Sequence, residues 1–160
     1  MTIEIRRADY HDARDARAIT LLLDEYARDP MGGGAAIDPA ALDRLVHELA
    51  QRPTALSILA LVDGTPAGLA NAFEGFSTFR ARPLLNIHDF MVSRPYRKLG
   101  IARSLLAELE RVSRERGCCK LTLEVLTGNL PARALYASAG FGGYQLDPVQ
   151  GNAEFWQKVL

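Results

Sequence analysis

LLNIHDFMVSRPYRKLGIARSLLAELERVSRERG, residues 84–117, contains the change of period on which the fold reading turns. Leu84 to Val92 reads as a strand, and Pro95-Tyr96-Arg97 ends it. From Gly100 to Arg116, residues Ile101, Leu105, Leu106, Leu109 and Val112 fall on one helical face, and Gly117 stops the helix. The junction reads Arg97-Lys98-Leu99-Gly100-Ile101-Ala102. A helix start leaves backbone N–H groups without partners, and its dipole adds partial positive charge, so an anion such as a pyrophosphate fits there. Gly100 lets the backbone approach phosphate oxygens, and Arg94, Arg97, Lys98 and Arg103 supply cations. Alone, the pattern Arg or Gln, two residues, Gly, one residue, then Gly or Ala recurs by chance at about one position per thousand. An ordinary helix start with surface arginines would read the same.

Further out, strands and helices mix. Ile3 and Ile5 alternate in a short first strand, and Ala13 to Arg28 has helical spacing. Asp29 to Ala36 is a breaker-rich loop, read as flexible. Asp38-Pro39 opens a second helix as N-cap and first residue. Leu56–Val62 and Ala67–Phe73 read as strands joined at Asp63-Gly64. Lys120–Leu126 is a further strand and Leu130–Ala139 a short helix, with closing strands expected at Phe141–Leu146 and Glu154–Val159. These elements predict one α/β domain over residues 1–160 with a sheet of mixed direction.

A second motif, Asn129-x-x-Ala132-x-x-Leu135-Tyr136-x-x-x-Gly140-Phe141, follows the strand after the first motif. A helix there brings Ala132, Leu135 and Tyr136 together, with Asn129 as a cap or amide partner and Tyr136 offering a phenolic proton. A buried tyrosine behind a capping asparagine accounts for the same pattern. With both motifs the chain resembles the GNAT superfamily of N-acetyltransferases, most sharply from Leu84 to Tyr144. The spacing from Tyr96-Arg97 to Asn129 and Tyr136 is similar to that of diamine acetyltransferases, and Leu123-Glu124-Val125 resembles the N-terminal acetyltransferases of ribosomal proteins.

The resemblance implies a GNAT fold: six to seven strands splayed at the fourth and fifth, flanked by about four helices. It implies acetyl-CoA as co-substrate, with its pantetheine arm between Phe90-Met91-Val92 and Thr122–Glu124. The pyrophosphate would lie on Arg97, Lys98, Leu99, Gly100, Ile101, Ala102 and Arg103, with Asn129, Ala132 and Tyr136 completing the cofactor site. Tyr136 takes the family's position for the acid that protonates the departing thiolate. The family often has glycine where Lys98 and Ala102 stand, and the diamine enzymes have glutamate where His88 stands.

An amine with a pKa of about 10 is mostly protonated at neutral pH, so a base is needed. Glu124 and His88 compete for that role, with Asp89 placed by strand alternation on the face opposite His88. Tyr26, with the Gly32–Gly34 loop as a lid, is a substrate candidate, as are Glu74, Phe76 and Phe79; hairpin packing also explains the aromatics.

Composition narrows the partners. Lys plus Arg is 19 and Asp plus Glu is 19, so no global basic field draws in nucleic acid or membrane. No histidine pair has metal-ligand spacing, and no metal is expected. Met1–Arg7 lacks a signal peptide's apolar core, and Cys118 and Cys119 read as reduced thiols; a cytoplasmic location follows as an expectation. The acceptor is expected to be a small-molecule or peptide amine, and a homodimer is expected by analogy alone. The competing reading is a non-catalytic acyl-CoA-binding sensor or interaction module.

Overall fold

A computed structural model describes residues 1–160. The chain divides into two compact units, Met1–Leu123 and Glu124–Leu160. The first is built on five strands: β1 (Ile3–Arg7), β2 (Ala55–Val62), β3 (Thr65–Ser77), β4 (Arg82–Val92) and β5 (Leu121–Leu123). They lie side by side in sequence order, with β4 and β5 parallel and every other pair antiparallel. Helices α1 (Ala13–Arg28), α2 (Pro39–Ala50) and α3 (Ile101–Glu115) belong to this unit. The mixed α/β sheet is the one the sequence predicts.

Local chemistry sets the element boundaries. Asp12 caps α1 by accepting the N–H groups of Arg14 and Asp15 at 2.8 and 3.0 Å. Asp38 does the same for α2, with Pro39 at its first position. β2 is buried at all eight positions because helices cover both faces of the sheet. On one face, Ala18, Ile19 and Leu22 of α1 and Val46 and Leu49 of α2 pack on Leu59, Leu69 and Met91. On the other lies α3, whose Ile101, Leu105, Leu109 and Val112 are each at most 1% exposed. Burying a side chain of this kind contributes about 1.5–3 kcal/mol. Gly68 marks how closely α3 approaches the sheet. A Cβ there would sit 3.1 Å from the Met91 carbonyl and 3.2–3.3 Å from Leu105 and Ile101.

Arg6 of β1 clamps Asp15 of α1 with two hydrogen bonds of 2.6 and 2.7 Å, and the Asp9 N–H adds a third at 2.8 Å. Asp15 is 2% exposed, and this hydrogen-bonding holds its carboxyl below the usual range.

The strand count differs from expectation. There are five strands, and Lys120–Leu126 contributes only Leu121–Leu123. β5 has one neighbour, and its pairing with β4 stops at Ile87↔Leu123. Phe141–Leu146 and Glu154–Val159 form no strand. Gly142-Gly143 interrupts the first of these, and between them Asp147 caps a 3-10 turn over Pro148–Gln150. In the second unit the regular helix is α4 (Leu130–Ser138). No helix in the structure is long and apolar enough to cross a membrane.

Candidate active site

The first unit carries the helix start singled out in the sequence. After β4, a 3-10 turn at Arg94–Tyr96 leads through Lys98 and Gly100 into α3. Gly100 is the N-cap at φ 84°, with no side-chain cap, so the amides of Ile101, Ala102 and Arg103 open onto the loop. A Cβ at Gly100 would meet nothing within 4 Å: the space against the first-turn amides is open. Lys98 is at φ 66°. That left-handed conformation costs a non-glycine residue roughly 1–2 kcal/mol, which explains why glycine suits this position. Lys98 and Arg103 are exposed. Donors, cations and open space therefore fit a pyrophosphate. Arg97 is exposed but tied back to the chain: its Nε donates to the Val92 carbonyl at 3.0 Å, and Asp29 stands 3.7 Å from it and 4.0 Å from Arg94.

β4 supplies the second feature. Pairing with β5 ends at Ile87↔Leu123, but β4 continues through Phe90, Met91 and Val92. Parallel strands that part leave main-chain groups at the opening for a strand-like ligand. The pairing ends in the stretch where the splay of the fourth and fifth strands is expected.

The same strand corrects one reading. On β3, Asn71 pairs with Asp89 and the next residue, Ala72, pairs with Ile87, so His88 is the extra residue of a bulge. Leu85 and Ile87 face α3, whereas Asp89 bonds Asn71 on the α1/α2 face. His88 meets the Phe73 ring edge-on at 5.5 Å on that same face, rather than opposite Asp89 as strict alternation predicts. Asp89 heads a hydrogen-bonded row across three strands and the α1 approach. Its Oδ2 accepts from Asn71 Nδ2 at 3.0 Å, Asn71 Oδ1 accepts from Ser57 at 2.6 Å, and Ser57 is 2.9 Å from the Tyr10 hydroxyl. The sequence reading missed this row. A lone serine in Leu56–Val62 and a lone asparagine in Ala67–Phe73, two otherwise apolar stretches, were the available signal, because a buried polar group needs a partner.

Tyr26 is half-buried on the same face, and burial, then the charges of Asp89 and Asp29, push its phenol up. The loop after it is tied down rather than loose: Gly32 and Gly34 donate to the Asp29 carbonyl, and Ile37 to Asp24. Glu74 accepts from Arg116 at 3.1 Å at the far end of α3. Phe76 and Phe79 are 62% and 96% exposed toward the β3–β4 turn. The structure thus joins Tyr26, His88 and Asp89 on one face and keeps Glu74, Phe76 and Phe79 away from them.

In the second unit Asn129 caps α4, its Oδ1 accepting the Ala132 N–H at 3.3 Å. Tyr136 is buried at 8% exposure, with the Phe141 ring 5.8 Å away and the Phe141 N–H on its carbonyl. Glu124 is exposed.

The acetyltransferase (GNAT) family model matches residues 17–141. The chain belongs to the GNAT family. Within it, 55 residues are 44% identical to an uncharacterized N-acetyltransferase, YycN, of Bacillus subtilis (strain 168), covering 34% of this chain and 35% of that one. Over 83 residues the chain is 29% identical to a thialysine N-epsilon-acetyltransferase of Caenorhabditis elegans, covering 52% of this chain and 51% of that one. These matches span about half or less of the relatives' own lengths. In three dimensions the chain is similar to AAC(6')-Iy in complex with the bisubstrate analogue CoA-S-monomethyl-acetylneamine. The TM-score is 0.78 at 17% identity, and all of both chains is covered. Family membership makes the strand–loop–helix junction at Gly100 the natural place to test for a ligand. Gly100→Val forces a β-branched residue to φ 84° and fills the open space. The KM for acetyl-CoA is expected to rise about tenfold or more, measured by thiol release at saturating amine.

Proposed function

We propose that the chain is an acetyl-CoA-dependent N-acetyltransferase that acts on a primary amine by direct attack. One observation carries this reading: a helix start with uncapped amides at Gly100 follows a strand whose parallel neighbour has ended. That combination offers an anion cradle and an open strand edge in one stretch of chain. A solved structure of the same fold at low identity holds a CoA-linked bisubstrate analogue, which supports the choice of cofactor. Acetyl-CoA supplies a thioester when bound. The amine nitrogen forms a bond to the acetyl carbon as the carbon–sulfur bond breaks; the amine gives up one proton and the departing sulfur takes one.

Under this reading the amides of Ile101, Ala102 and Arg103, with Lys98 and Arg103, hold the pyrophosphate, while Phe90–Val92 present main-chain groups to the pantetheine arm. Asn129 and Ala132 shape the cofactor side, and Tyr136 gives the sulfur its proton. Glu124 and His88 are the candidates to receive the amine's proton. Under the same reading the 160 residues act as one functional domain in the cytoplasm. Thiol release from acetyl-CoA, measured across a panel of diamines, amino acids and peptide amines, tests the proposal. Turnover on at least one amine is expected. Binding of acetyl-CoA with no turnover on any of them would replace it with a sensor or interaction module.

A further inference from the structure

The end of α1 meets the loop that leads to Gly100 with two carboxylates. Glu25, in the last turn, and Asp29, the C-cap, stand one helical turn apart. Glu25 accepts the Ser93 hydroxyl at 2.9 Å, and Ser93, 8% exposed, donates its own N–H to the Ala67 carbonyl at 2.9 Å. This fixes α1 against the first residue after β4. Asp29 then faces the arginines that follow: its Oδ2 lies 4.0 Å from Arg94 Nη2 and 3.7 Å from Arg97 Nη2. Both separations exceed hydrogen-bonding reach, so the attraction is between charges alone.

The rest of Asp29 is committed elsewhere. Its Oδ1 accepts the Met31 N–H at 3.0 Å, and its carbonyl accepts the N–H groups of Gly32 and Gly34 at 2.8 and 3.1 Å. A Cβ at Gly32 would stand 2.0 Å from the Tyr26 carbonyl, so the loop is seated closely on α1 and holds the carboxylate where it is. As the C-cap, Asp29 also adds its charge to the negative end of the helix dipole. Arg97 spends its Nε on the Val92 carbonyl, which leaves the Nη groups for an anion, and Nη2 is the atom that Asp29 faces. The Arg94 and Arg97 side chains are 73% and 51% exposed, so both guanidiniums are open to a ligand.

We propose that Asp29 is an internal counter-anion of the cofactor loop: it competes with the ligand's phosphates for Arg94 and Arg97 and so loosens the grip on a phosphate-bearing ligand. This rests on the acetyl-CoA reading and deepens it at the same site. The product CoA carries the same phosphates as the substrate, and a looser grip on them favours its release.

The test uses two ligands with the same arm, CoA and pantetheine, of which only CoA carries phosphates. Asp29→Asn keeps the oxygen that accepts from Met31 and removes the charge. Calorimetric titration at about 10 mM salt is expected to show CoA binding tightened about three- to tenfold in this variant and pantetheine binding unchanged. At about 1 M salt, where charges are screened within about 3 Å, the gain should largely vanish. In an Arg94→Gln/Arg97→Gln background the gain should fall below about twofold, because the contested groups are gone. Thermal melting confirms that each variant folds. Unchanged or weaker CoA binding by Asp29→Asn would overturn the proposal, as would an equal change for pantetheine or a gain that persists in full without the arginines. If the unaltered chain binds no CoA, the acetyl-CoA reading falls, and this inference with it. CoA binding by the unaltered chain with no gain in Asp29→Asn removes the inference alone.

Discussion

Tyr136→Phe is expected to lower turnover by about 100-fold or more, the usual scale on which a positioned acid or base contributes. The substitution removes one oxygen and leaves the ring, so the packing against Phe141 at 5.8 Å survives. Tyr136 sits where α4 ends in a tight cap, with the N–H groups of Ala139 and Phe141 both on its carbonyl, and that backbone arrangement does not depend on the phenol. The loss should therefore fall on kcat, with the KM values for acetyl-CoA and amine changing little. An acid that protonates a leaving group works in the transition state rather than in binding. Steady-state kinetics on the best amine checks this, and turnover unchanged within a factor of two takes Tyr136 out of the mechanism. A leaving group that needs no proton gives a second check: a thioester of an acidic thiophenol should recover most of the lost rate.

The largest effect on stability is expected from Arg6→Ala. Asp15 is 2% exposed and keeps its charge through two guanidinium hydrogen bonds of 2.6 and 2.7 Å. Breaking a buried pair from one side costs about 3–5 kcal/mol, because the remaining charge is left desolvated. The Arg6 side chain is 38% exposed and Asp9 N–H stays on the carboxylate, so the low end, about 3 kcal/mol, applies. Urea denaturation at neutral pH measures it, and a loss below about 1 kcal/mol would mean the clamp is worth no more than a surface pair. The pair also has a pH signature. The folded-state pKa of Asp15 lies below its ordinary 3.8, so its contribution is full above that value and is lost as pH falls through the lower one. The unaltered chain should lose stability steeply below about pH 4, and Arg6→Ala should lose much less over the same interval.

How far the sequence could be read depends on how local each feature is. The helix over Ile101–Glu115, its glycine start, the Asp38-Pro39 cap and the Asp63-Gly64 hairpin are all set by neighbours within a few residues, and each was legible. The loop conformation before α3 was legible for the same reason, and the left-handed Lys98 shows why a glycine would have been unremarkable there. The bulge at His88 was not legible, because an extra residue in one strand exists only relative to its partner strand. Through it, the side taken by Asp89 was misread. The row from Tyr10 to Asp89 joins four separate segments, so no window of sequence contains it. The strands expected at Phe141–Leu146 and Glu154–Val159 did not form, and Gly142-Gly143, which favour turns over strands, were the local warning in the first of them.

The tight seat at Gly68 also bears on the loop that leads into α3. Ile101 and Leu105 rest almost on the β3 backbone, so the origin of α3 is set by the sheet, as a machined shoulder sets a shaft. The loop that enters α3 inherits its coordinates from that shoulder. A methyl group added at position 68 meets the Met91 carbonyl at 3.1 Å and the Leu105 and Ile101 side chains at 3.2–3.3 Å, so the seat of α3 itself must give by a few tenths of an ångström.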